Sequence, residues 1–434
     1  MTKRMGRLNI LVLHCLGNPA LAPSFLSHHV FALRKNCPGH NYLYHDATLP
    51  LPGYVVEQNF DAIVLDVSFL TARWIGADYL QARKNAYAFV RDSTAAKIAF
   101  PQDEYDCNVL LDDWMCEWKV DVVFSVVSSG WNVLYPRYHK CGDIRLGYTG
   151  YIDETLLDRQ VKPFDARTID IGYRAKKLPP YFGRIGETKW TIGRDVALQG
   201  GRAGLAVDIE LGDTGTLFGD AWLDFIGNSK FTLGANSGSS LLDPTGDIQR
   251  NVRSFVADHP DASFEEVEAA CFPGMEGHYS FTAISPRVLE AALLGSAQIL
   301  VDGEYSGIVN SQDHFIPIRR DASNFSEVIA AMSDADAVER MIRRCREAVL
   351  SVDALRYRNK ARMVIDLIGD LVSRKKTGAN PEQVEKVISR YQEEMQPKYR
   401  AHWRRQHFRT RIARATAPYP MLYRALRSAA KILR

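Results

Sequence analysis

The residues best placed to do chemistry lie in SFTAISPRVLEAALLGSAQILVDGEYSG, positions 280–307. Ser285 is a favoured N-cap and Pro286 suits the first helical position, so a helix opens here. Gly295 closes it before the apolar run AQILV. Such a helix start offers unpaired backbone N–H groups and a positive dipole end, which suit a diphosphate. Arg287 in the first turn is unfavourable beside that dipole unless an anion lies there too. Glu290, one turn on, is placed to take ribose hydroxyls. The same residues also fit a capped core helix carrying two surface charges.

Other chemistries leave no mark. The first apolar run ends in HCLGNPALAP and the first of a later series in IGYRAKK, neither with the glycine spacing of a dinucleotide fingerprint. No phosphate-loop pattern, H-E-x-x-H zinc motif or G-x-S-x-G elbow occurs. Asp334-Ala335-Asp336 has the spacing of a metal-binding pair, but Ser333 followed by Asp336 reads more simply as a helix cap. No metal and no cofactor are therefore expected. Seven cysteines, odd in number and without a C-x-x-C pair, fit neither a disulfide framework nor a structural zinc site. They fit a reducing compartment.

The elements that must position Glu290 and its neighbours form two series. In the first, LNILVLH, HNYLYHD, FDAIVLDV, AKIAF and VDVVFSVV scarcely alternate, as strands buried on both faces do. SFLSHHVFALRK, ADYLQARKNAYAFVRD and CNVLLDDWMCEW between them suit amphipathic helices. The opening MTKRMGRLNILVLHCLGNPALA imitates a secretory leader, yet Asn9 and His14 interrupt its apolar run, and the strand reading is preferred. The second series has strands RTIDIGYR, GLAVDIE, KFTLG, AQILVDG and HFIPI, with helices between. The class is α/β, two tandem Rossmann-like domains. Residues 1–160 form the first, 161–350 the second, 351–395 a helical segment and 396–434 a basic tail. No run of 18 apolar residues exists to span a membrane.

SPRVLEAALLG, then EYSGI, then HFIPIRRDASN resembles the donor-binding half of GT-B glycosyltransferases, in particular bacterial surface-polysaccharide enzymes carrying an SPRxxEA motif. IDIGYR with Lys189 downstream, and FTLGANSGSSLLDPTG, are similar to the same group. The likeness covers about 165–330 and is architectural over the first 150 residues. It implies transfer of a sugar from a nucleotide-sugar co-substrate to a glycan or lipid-linked glycan acceptor in surface-polysaccharide assembly. Glu290 then matches the ribose-holding glutamate. Arg174, after Gly172, and Lys189 fall where basic groups neutralise the departing diphosphate. Ser285, Arg287 and the amides of Tyr305 and Ser306 are further donor ligands. Many retaining members carry a second glutamate where this chain has Thr282; Glu276 or His278 are the substitutes offered.

Candidate bases for an acceptor hydroxyl belong on loops at the carboxyl ends of the first domain's strands. Asp103 and Glu104 follow AKIAF there; they also fit an acidic first turn of the next helix. His28, His29, His45 and Asp46 are also in range, each histidine fitting a structural role as well.

The net charge of +3 conceals an asymmetry: 396–434 holds eleven Lys/Arg and no carboxylate, which leaves the remainder at −8. In MLYRALRSAAKILR, Arg424, Arg427 and Lys431 share a face opposite the leucines, and upstream Trp403, Arg404 and Arg405 interleave aromatic and basic character. A basic amphipathic helix of this kind fits an anionic membrane surface; RNA or plain packing are the alternatives, and no nucleic acid is expected. The resulting picture is a cytoplasmic enzyme held peripherally at the inner membrane face. A nucleotide-sugar epimerase of the same fold, or a non-catalytic membrane-docked scaffold, are the other readings.

Overall fold

The computed structural model describes residues 6–22, 24–212 and 215–416. Six parallel strands form the first sheet: β1 (Asn9–His14), β2 (Asn41–Asp46), β3 (Ala62–Leu65), β4 (Ala96–Ala99), β5 (Val122–Ser125) and β6 (Asp143–Leu146), in spatial order β2-β1-β3-β4-β5-β6. Helices α1 (Ser24–Asn36) and α2 (Asn108–Glu117) belong to its crossovers. A second sheet uses β7 (Ile169–Arg174), β8 (Val207–Glu210) and β9 (Ser229–Gly234), followed later by β12 (Ala297–Val301) and β13 (Ile316–Ile318). It is also wholly parallel, in order β13-β12-β9-β7-β8. Helices α3 (Gly183–Arg202) and α4 (Gly219–Asn228) join its first three strands. The expected pair of Rossmann-like sheets is present.

One feature of the second domain has no periodic signature. A short antiparallel pair, β10 (Ser237–Ser239) with β11 (Phe281–Ala283), stands outside the main sheet. Between its strands the chain inserts α5 (Asp247–Asp258) and α6 (Phe264–Cys271), packed on their own small core of Leu241, Ile248, Val252, Phe264, Val267 and Phe272. Helix α7 (Pro286–Leu293) follows directly and leads into β12.

Residues 351–395 are not a separate helical piece. Strand side chains alternate faces, so Ile10 and Val12 on one side of the first sheet need a cover distinct from that over Leu11 and Leu13. Helix α8 (Tyr357–Lys375) supplies it, burying Ala361, Val364, Ile365, Ile368 and Leu371 against Ile10, Val12, Val64 and Ile98. Helix α9 (Pro381–Thr416) lies on the opposite face, where Val384, Tyr391, Met395 and Tyr399 join Leu11, Leu13, Leu43 and Trp114. It runs through position 396 without a break, so the first turns of the basic tail belong to the fold.

Candidate active site

A cavity of about 570 Å³ opens at the carboxyl end of β7, in the crevice where open α/β sheets bind ligands. Arg174, Lys189, Ser285, Arg287 and Glu290 all line it, and Phe25 of α1 closes it from the first domain. Five of the eight expected donor residues are thus brought together by three elements: the end of β7, the first turns of α3 and the start of α7.

The start of α7 is built as the sequence implies. Ser285 has extended backbone and Pro286 occupies the first helical position, but the Ser285 side chain makes no capping bond. The Arg287 guanidinium lies over the rings of Tyr173 and Trp222, at 4.9 and 5.2 Å, and donates to the Arg174 carbonyl at 2.5 Å. Its Nε has no partner. The Lys189 ammonium donates to Ser237 Oγ at 3.2 Å. Burial brings its pKa down to about 8, with Asp103 across the cleft opposing that shift and Arg287 adding to it. Neither Lys189 nor Arg287 makes an ion pair with a carboxylate among the described residues. Arg174 differs, being paired with Asp208 at 2.8 Å and stacked over Phe225 at 4.0 Å. Glu290 accepts from the Trp222 indole at 2.8 Å. Burial pushes its carboxyl up, against the pull of Trp222 and Arg287.

Glu290 also borders a second cavity of about 520 Å³, which shares Phe25, Gly219, Trp222 and Pro286 with the first. Tyr151, Leu289, Leu293 and Tyr357 line its far side. It therefore extends along α7 away from the helix start. Trp222 and Phe25, which line both hollows, carried no motif.

Several expected residues do other work. A Cβ on Gly172 would lie 2.2 Å from Ser229 Oγ, so this glycine permits close packing and does not line the donor cavity. Tyr305 is fully buried, its hydroxyl spent on the Val301 carbonyl. The Ser306 amide is taken by Glu304, and its hydroxyl accepts from Ile284 N. Neither lines the donor cavity. Glu104 has no exposed surface; it accepts from Val126 N and the Tyr135 hydroxyl, and burial raises its pKa to about 7. A group enclosed in this way cannot reach an acceptor. His278 is exposed on the loop before β11, and Glu276 is turned to the Arg184 amide.

Asp103 is half-buried and lines neither cavity, but it lies near enough to Lys189 to favour that ammonium's charge. It stands after β4 with φ of 48°, a left-handed conformation that a side chain rarely adopts. The fully buried Arg73 enforces it, donating to the carbonyls of Leu70, Gln102, Asp103 and Asp106. Tyr105 OH holds Asp103 Oδ1 at 2.6 Å. Arg73 gave no sequence signal, because one arginine in an amphipathic stretch reads as surface. Of the histidines, His45 is enclosed by the hydroxyls of Tyr391 and Tyr87, and burial lowers its pKa to about 3. His29 Nδ1 lies 3.0 Å from Asp66 Oδ2 at the β1/β3 switch point. Burial, then Lys360, hold it below the ordinary imidazole value.

Backbone bonds tie the two domains beside the site. Cys107 N donates to the Asp243 carbonyl at 2.7 Å, Asp243 N to Tyr105 O at 3.0 Å and Val109 N to Pro244 O at 3.2 Å. Among the described residues no cluster of His, Cys, Asp or Glu is arranged to hold a metal ion. Asp334, half of the D-x-D spacing, caps its helix by accepting from Ala337 N. No described helix is long and apolar enough to cross a membrane.

In the tail, Trp403 stacks on Tyr399 at 5.8 Å and packs against the first domain's core, so it is committed to folding and not to lipid. Arg404 and Arg405 are exposed. Arg424, Arg427 and Lys431 lie outside the described residues.

No protein-family model and no curated protein matches the chain. Solved structures similar to it include an α-glucosyltransferase in complex with UDP-glucose and DNA containing an abasic site, with TM-score 0.49 and 10% identity over 84% of this chain and 100% of that one. A glycosyltransferase from Rickettsia africae gives TM-score 0.48 and 9% identity over 85% and 99%. Anabaena HepE in complex with UDP and glucose gives TM-score 0.47 and 9% identity over 84% and 100%.

Proposed function

We propose that the chain is a GT-B glycosyltransferase that moves a sugar from a nucleoside-diphosphate donor to a hydroxyl of a glycan or lipid-linked glycan. The observation that carries this reading is the meeting of Lys189, Arg287 and Glu290 around one helix start in a single cavity. Two cations without carboxylate partners and a positive helix end call for an anion with more than one charge. A half-buried glutamate one turn on calls for hydroxyl donors at ribose distance from that anion. A nucleoside diphosphate satisfies both, its base continuing along α7 toward the second cavity.

The chemistry follows from the charges. The bond between the anomeric carbon and the diphosphate oxygen breaks, and negative charge grows on the leaving group. Lys189, Arg287 and the α7 amides are fixed beside that charge, so they stabilise the transition state more than the ground state. Asp103, whose carboxylate acts on the Lys189 charge and whose carbonyl is held by Arg73, would take the acceptor's proton as the new glycosidic bond forms. The exposed Arg404 and Arg405, with the basic residues of 409–434, would hold the enzyme at an anionic membrane surface where a lipid-linked acceptor resides.

Calorimetric titration with UDP, GDP, ADP, CMP and dTDP tests the reading. One nucleotide is expected to bind at micromolar concentration, and Glu290→Ala should weaken it about tenfold or more, the loss of a charged hydrogen bond. If none binds, the donor site is disproved. If one binds with unchanged affinity in Glu290→Ala, this glutamate is not the ribose ligand.

A further inference from the structure

The chain's seven cysteines are spread from position 15 to 345, yet the fold brings two of them side by side. Asp112 of α2 accepts the amides of Arg137 at 3.0 Å and Tyr138 at 2.7 Å. That pair of bonds docks the 137–141 turn on one face of α2. Cys116 stands one helical turn after Asp112, on the same face. Cys141 closes the docked turn, its amide bonded to the Tyr138 carbonyl at 3.0 Å. The two cysteines line one surface hollow, together with Lys119 and Arg374. Cys141 is exposed and Cys116 half-buried.

The remaining five are placed differently. Cys107 and Cys345 are buried, Cys345 against the Gln298 amide. Cys15 receives a hydrogen bond from Arg83. Burial, then Asp112 and the adjoining Cys141 thiol, push the Cys116 thiol up to about 11, so it is a poor first nucleophile. Exposure makes Cys141 the sulfur an oxidant meets first.

We propose that Cys116 and Cys141 are a site of reversible oxidation by hydroperoxides, closing a disulfide between α2 and the turn before β6. In the first step the Cys141 thiolate attacks the peroxide's terminal oxygen. The O–O bond breaks, Cys141 becomes a sulfenic acid, and water or an alcohol leaves. In the second, Cys116 attacks that sulfur, the S–O bond breaks, and its proton leaves with hydroxide as water. Two electrons pass from two thiols to one peroxide, and a cellular dithiol returns them by exchange. The loop so closed includes β5 and Tyr135, which contacts Glu104 beside the Asp103 loop. The bond therefore stiffens the frame beneath the cleft without entering it.

The test uses the full chain and hydrogen peroxide in slight molar excess, followed by alkylation, unfolding and thiol counting. Seven free thiols should fall to five, with peptide mapping linking Cys116 to Cys141, and dithiothreitol should restore all seven. In Cys116→Ser the second step is blocked, so Cys141 should accumulate as a dimedone-reactive sulfenic acid. Retention of seven thiols overturns the proposal, as does loss confined to other cysteines. Oxidation of Cys141 while Cys116 stays alkylable in the unmodified chain also overturns it.

Discussion

Lys189 makes the donor site sensitive to pH in a defined direction. In the free protein its ammonium loses its proton near pH 8 because burial disfavours the charge. Only the protonated form attracts a diphosphate. Nucleotide affinity should therefore fall as pH rises through about 8, with a proton taken up on binding above that pH. In Lys189→Gln the affinity should be lower and its pH dependence in this range lost; calorimetry in two buffers of different ionisation enthalpy reads both. Glu104 sends a signal in stability instead. Its folded pKa of about 7 lies above the unfolded carboxylate value, so the unfolded state ionises first as pH rises. The contribution of Glu104 to stability is full below about pH 4 and is lost by pH 7, on the order of 3 kcal/mol. Glu104→Gln removes that decline, so denaturant unfolding at pH 8 should show a variant more stable relative to the parent than at pH 5.

Those same residues mark what the sequence could and could not convey. Ser285, Arg287 and Glu290 were legible because helix spacing fixes which side chains share a helix start. Arg174 and Lys189 became legible only through likeness to a family motif. Gly172 and the amides of Tyr305 and Ser306 misled, since adjacency in sequence does not place a residue on the cavity wall, and the Ser306 amide goes to Glu304 instead. Glu104 misled because sequence says nothing of side-chain direction, and its carboxylate turns inward to Val126 N.

At the scale of elements, strands and most helices could be read from apolar runs, but their partners could not. The spacing Ala361, Val364, Ile365, Ile368 and Leu371 announces a buried helix face; that this face meets β1 of the other domain is decided by which sheet surface lacks cover. Helix α9 gives the sharpest case. Tyr399 is 7% exposed, and its hydroxyl meets Asp46 at both N and O, by 3.1 and 2.9 Å bonds. Cutting the chain at 396 removes Tyr399 and Trp403 from the core and should cost about 3 kcal/mol or more. A chain ending at 408 keeps them. It should unfold at nearly the same denaturant concentration as the full chain while no longer binding anionic vesicles in flotation. Vesicle binding by that shorter chain would move the membrane contact off residues 409–434.

For the whole molecule, the bonds joining 105–109 to 243–244 are the decisive feature. Backbone pairing of this kind, beside Thr149 Oγ1 donating to the Ile284 carbonyl at 2.5 Å, stabilises this arrangement of the two domains with no contribution from a ligand. The radius of gyration from small-angle scattering should accordingly stay constant when the nucleotide identified by calorimetry is added. A contraction of several ångströms would mean that the latch opens in the free protein.

The path of the chain also has a bearing on biosynthesis. β6 completes the first sheet at Leu146, and Leu111, Trp114 and Met115 of α2 already pack on Leu11 and Leu13, yet the helix that covers Ile10 and Val12 begins only at Tyr357. A chain emerging from the ribosome must therefore carry Ile10, Val12, Val64 and Ile98 without that cover while the entire second domain is made. The domain encoded second is the first able to finish folding, and ribosome-associated holdases have a built-in client in the stretch between.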